Sequence, residues 1–107
     1  MIAKYWQKGE VLDYKASAAV KNGEVVSLGT RIGVAGEDIA ADETGHLHVV
    51  GVFEMEKATG DVTMGAALYY SATDKKITTT ASGNVPAGYA AAPAASADET
   101  VLVKLLG

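Results

Sequence analysis

His46 and His48 are the residues whose chemistry is easiest to name. Two imidazoles two positions apart share a face of an extended chain, and a third ligand would make a zinc site. Asp42 or Glu43 could fold back to supply it. The plainer reading is two solvated histidines at a strand edge, so no metal is expected. Asp42-Glu43-Thr44-Gly45 does not match the alternating oxygen ligands of a calcium loop. Glu54 and Glu56 also share a strand face, and glycosidases use such pairs at a set separation. Here they read more simply as the solvated end of a strand. Ser27, Ser71 and Ser82 have no neighbouring His and acid and no Gly-x-Ser-x-Gly elbow. Gly29 and Gly33 bracket a strand-like stretch instead of opening a helix, so they form no phosphate-binding loop. Without cysteine there is neither a disulfide nor a thiolate ligand. These residues predict a protein that is not an enzyme and has no cofactor.

Binding chemistry is better represented. Tyr5 and Trp6 sit near the N-terminus between Lys4 and Lys8, and both aromatics bury much area at low entropic cost. Two readings stand: residues 1–8 form an arm that orders on a partner surface, or Trp6 caps the chain's own core. Tyr69-Tyr70 is the second candidate. Consecutive strand residues face opposite sides, so one tyrosine points away from the core and invites a neighbouring subunit. The formal charge is −4, with Lys75-Lys76 the one adjacent basic pair. Nucleic-acid binders concentrate positive charge to neutralise phosphates, so no nucleic-acid partner is expected.

The elements that must position these residues read as short strands. Hydrophobic residues make up 49% of the chain but include one Phe and one Trp, and twelve glycines punctuate it. No helical period lasts beyond a turn. Alternating stretches fall at residues 11–16, 24–28, 31–35, 67–72, 77–80, 86–90 and 100–105, with 39 opening a short segment. Asn22-Gly23 is a tight-turn signal. Residues 47–55 form the longest candidate. Leu47, Val49, Phe53 and Met55 share one face and Val50 and Val52 the other, which predicts a central strand. Gly51 marks a bulge or close backbone approach within it. The expectation is an all-β fold, a compact barrel or sandwich of about eight or nine short strands with little helix. Residues 9–107 make one β-domain.

A faint internal echo links Lys21-Asn22-Gly23-Glu24-Val25-Val26 with Thr59-Gly60-Asp61-Val62-Thr63-Met64. Two similar β-units would produce it, and so would recurring hairpin chemistry. No apolar run reaches the ~20 residues of a spanning helix, and the N-terminus lacks a signal peptide's apolar stretch. The chain reads as soluble, made in the cytoplasm, with no membrane partner.

The order of small motifs over nearly the whole length resembles the phage capsid cement, or decoration, proteins. The series opens with Tyr5-Trp6-Gln7-Lys8-Gly9-Glu10-Val11-Leu12, then Ala18-Ala19-Val20-Lys21-Asn22-Gly23-Glu24-Val25-Val26 and Ile32-Gly33-Val34-Ala35. Its most characteristic stretch is Gly51-Val52-Phe53-Glu54-Met55-Glu56-Lys57-Ala58-Thr59-Gly60. Ala67-Leu68-Tyr69-Tyr70, Gly83-Asn84-Val85-Pro86-Ala87-Gly88-Tyr89-Ala90 and Asp98-Glu99-Thr100-Val101-Leu102-Val103-Lys104-Leu105 complete it.

The resemblance implies an all-β homo-oligomer, a trimer, that binds the major capsid protein on the outside of the phage head. Within it, Lys4, Tyr5, Trp6 and Lys8 are the expected capsid contacts and Tyr69 and Tyr70 the expected subunit contacts. The competing readings are a β-barrel module for carbohydrate on a host surface, using Tyr69, Tyr70 or Tyr89, and a different structural part of the virion.

Overall fold

The computed structural model describes residues 2–106, and among them there is no helix. The strands are β1 (Val11–Lys15), β2 (Val25–Ser27), β3 (Ile32–Ala35), β4 (Thr44–His48), β5 (Val52–Glu56), β6 (Ala67–Ser71), β7 (Lys76–Thr78), β8 (Val85–Ala90) and β9 (Thr100–Leu105). They form two antiparallel sheets, ordered β1-β4-β3-β2 and β5-β9-β8-β6-β7. The fold is therefore an all-β sandwich. One parallel bridge from Lys57 to Ile77 draws the two ends of the second sheet together.

The long candidate at residues 47–55 is two strands in different sheets. β4 lies inside the first sheet, but β5 is the edge of the second. Gly51, at φ 125°, is where the chain leaves one sheet for the other. The inward set survives the break, because alternation carries on through it: Leu47, Val49 and Met55 are buried. What fails is the inference of one central strand. An apolar pattern on both faces says that both faces are covered over part of the length, not that the covered parts belong to one sheet.

The two halves of the chain are built alike. β1 pairs β4 from Val11–His48 to Lys15–Thr44, and β5 pairs β9 from Val52–Lys104 to Glu56–Thr100. Val26 faces Gly33 across β2 and β3, as Leu68 faces Gly88 across β6 and β8. Ala35 pairs Leu47, as Ala90 pairs Val103. Outside the strands, Val20 bridges Ile39 as Val62 bridges Ala94. Gly23 donates to Ala35 O at 2.8 Å and Gly65 to Ala90 O at 2.8 Å. The second unit adds one strand, β7, where the first has a tight turn. The repeat is thus real, but its register is not that of the sequence echo: Val20 and Gly23 correspond to Val62 and Gly65. The tetrapeptide Ala-Asp-Glu-Thr, at Ala41-Asp42-Glu43-Thr44 and Ala97-Asp98-Glu99-Thr100, ends on the first residue of β4 and of β9, and it is the signal that marks the true alignment.

The units pack by unlike faces. In the first, Val26, Leu47 and Val49 form a cluster with Tyr14 and Val20. Their counterparts Leu68, Val103 and Leu105 belong to the larger core, and that core also takes in Ile32 and Val34 from the opposite face of β3. One face of the first sheet closes on its own loops, and the other closes the second sheet.

Candidate capsid-contact and assembly site

The arm lies outside this core. Residues 2–8 are all exposed, with Tyr5 78% and Trp6 85% accessible. Trp6 therefore does not cap the chain's own core. Gln7 Nε2 donates to Val11 O at 3.2 Å, and Gly9, at φ 79°, turns the chain into β1. Lys4, Tyr5, Trp6 and Lys8 together form a short exposed basic and aromatic segment ahead of β1, an edge strand of the first sheet.

Tyr69 and Tyr70 separate as alternation requires. Tyr70 is 7% exposed, inside the chain's own core. Burial raises its phenol above the usual value of 10.0, and the nearby Glu24 carboxylate raises it further. Its side chain is thus committed within its own chain, and of the pair only Tyr69 is half-exposed. The outward face of the second sheet also shows Tyr89, Val52 and Leu102 to solvent. Tyr89 and Val52 both pair with Lys104, so the three form a row across β8, β9 and β5.

The histidines are held apart from any ligand set. His46 Nδ1 lies 2.7 Å from Glu37 Oε2, and the same carboxylate accepts from His46 N at 3.2 Å. His48 packs its ring against Phe53, centroids 5.9 Å apart. Among the described residues, no three His, Cys, Asp or Glu side chains gather where a metal could bind. Glu54 and Glu56 are exposed on β5, and Glu54 accepts the Thr100 hydroxyl at 3.1 Å.

A groove of about 540 Å³ opens between the sheets. β2, β3 and His48 supply one wall and β5, Tyr70, Lys75 and Ile77 the other. It exists because the face of the first sheet turned toward the second is not wholly covered by it. The sequence reading missed this groove, since nothing local marks a gap between two sheets. Lys57, just beyond β5, is 5% exposed, and its ammonium donates to Ala58 O at 2.9 Å and Ser96 O at 3.2 Å.

The family model for phage cement proteins matches residues 6–105. The chain belongs to that family. No curated protein and no solved structure matches it. A cement protein is a structural component of the virion, associated with the capsid. The match begins at Trp6, so Lys4 and Tyr5 lie just outside it while Trp6 and Lys8 lie within. Among the described residues, no helix is long and apolar enough to cross a membrane.

Proposed function

We propose that this cement protein binds the lattice of major capsid protein on the outer surface of a phage head and stabilises the shell without chemistry. It is made in the host cytoplasm and acts as a homo-oligomer, a trimer. The observation that carries the reading is the family match over residues 6–105. The exposed arm supports it, because Tyr5 and Trp6 offer large contact areas that their own chain leaves uncovered. In this reading Lys4, Tyr5, Trp6 and Lys8 touch the capsid, and Tyr69 faces a neighbouring copy.

The energetics suit small contacts. A weak site repeated within an oligomer gains from effective concentration, because the second contact is made by a tethered partner. A protein that binds only the expanded shell stabilises that state by mass action. Co-sedimentation with expanded and unexpanded shells tests the function: the full chain should pellet with expanded shells. Removal of residues 1–8 should leave a folded protein that stays in the supernatant. Normal pelleting of the shortened chain would remove the arm from the interface, and failure of the full chain to pellet would remove the function.

A further inference from the structure

Val52, Glu54, Leu102 and Lys104 make a self-complementary square on the outward face of the second sheet. Leu105 N donates to Gly51 O and Lys57 N to Glu99 O, both at 2.9 Å. The intervening pairs Val52–Lys104 and Glu54–Leu102 are therefore of the close, non-hydrogen-bonded kind. Their side chains alternate with the buried Met55, Val101, Val103 and Leu105, so they point away from the core. Val52 is 51% exposed and Leu102 40%. The two apolar side chains hold one diagonal of the square and the two opposite charges the other. Glu54 accepts the Thr100 hydroxyl at 3.1 Å and Lys104 donates to Leu105 O at 3.1 Å. Each keeps further lone pairs or protons for a partner.

We propose that this square is an interface between two copies of the chain, related by a two-fold axis along its apolar diagonal. Turned about that axis, Val52 and Leu102 each meet the same residue of the second copy, Lys104 meets its Glu54, and Glu54 meets its Lys104. The strands of the two copies then cross at a steep angle, the orthogonal way in which sheets pack face to face. An axis along or across the strands would instead set Val52 against Lys104 or Glu54, and would bury a charge against an apolar group at a cost. The charges also select the occupant. A partner surface of a single sign would repel one corner of the square, whereas a second copy satisfies both. A trimer joins unlike patches, while a two-fold contact joins like ones. This contact is therefore separate from a trimer's and goes beyond the capsid-binding reading.

Light scattering of the full chain over a range of concentrations reads the contact. The mass should reach an even number of chains: two, or six where trimers also form. E54K and K104E, each checked for folding by circular dichroism, should halve that mass, with association weakened about tenfold or more by the like charges now facing each other. Mixed in equal amounts, the two variants should regain the parent's mass, because every Lys then faces a Glu. The double variant E54K/K104E should regain it alone. Val52→Lys, which sets two ammonium groups on the axis, should also halve it. The proposal is overturned if the parent stays monomeric or reaches only an odd number of chains. It is overturned equally if the single variants keep the parent's mass, if they fall to a third of it, or if the mixture gives no rescue. Co-sedimentation of E54K with expanded shells reads the capsid-binding reading separately, because that variant keeps residues 1–8 intact.

Discussion

Gly33 and Gly88 occupy the same position in the two repeated units, and in both the last strand of the unit crowds the space a side chain would need. A Cβ on Gly33 would come 2.6 Å from the Leu47 side chain, whereas one on Gly88 would meet the backbone carbonyl of Lys104. The neighbours differ in how far they can give. Leu47 can shift within its cluster, but the Lys104 carbonyl is fixed in the β9 ladder, and Gly88 also has φ 149°. Overpacking typically costs ~1–3 kcal/mol, and backbone strain in this glycine region adds ~1–3 kcal/mol. Gly33→Ala should therefore lower stability by about 1–3 kcal/mol in urea unfolding. Gly88→Ala should cost clearly more, enough to leave little folded protein. Equal losses would mean that the two sites are not crowded as described.

Lys57 gives a second prediction. Its ammonium caps the carbonyls of Ala58 and Ser96, so it ties the loop before β9 to the end of β5. Lys57→Met keeps most of the apolar stem and removes the donors. Half-buried carbonyls left without partners cost at most about 1–3 kcal/mol, and the loss should appear as a lower urea midpoint. Amide exchange should speed up first in residues 94–98. A Met variant as stable as the parent, with unchanged exchange there, would show that water replaces the ammonium at no cost.

How much of this was legible in the sequence depends on the range of each signal. Strand alternation is local, and β9 and the outer-versus-core split of Tyr69 and Tyr70 follow from it. An all-β barrel or sandwich followed from many short strands separated by glycine turns, but the choice between them did not. Sheet membership is not local: Leu47, Val49, Phe53 and Met55 keep one rhythm across a break between sheets, so periodicity alone merges β4 and β5. The repeat was half visible. Gly-acid-Val recurs by turn chemistry and aligns the units wrongly, while Ala-Asp-Glu-Thr aligns them as the backbone does. The exposure of residues 2–8 was not decided by the sequence, because Tyr5, Trp6 and two lysines ahead of any alternating stretch fit both an arm and a cap on the chain's own core. The groove was not legible either, because it exists only where two sheets fail to cover one another.

Tyr70 should impose a pH dependence at the alkaline end. Its folded-state pKa lies above 10.0, through burial first and the Glu24 carboxylate second. The folded protein then holds a proton that the unfolded chain has released, so stability falls as pH rises through that window. The contribution is fully present below pH 10 and is lost as the pH climbs through the folded value. Tyr70→Phe should flatten this fall, measured as urea midpoints at rising pH. Glu24→Gln should reduce it only in part, since burial remains. If both variants keep the parent's slope, another group is responsible.

The arm makes a prediction about what should not change. Residues 2–8 are exposed, and the Gln7 amide ties them to the domain by donating to Val11 O. Exposed substitutions away from caps and cores usually stay within about 0.5 kcal/mol. At high dilution, where chains do not meet, removal of residues 1–8 should leave the urea midpoint of the monomer unchanged within that margin. A loss at every concentration would mean that the arm packs on its own domain.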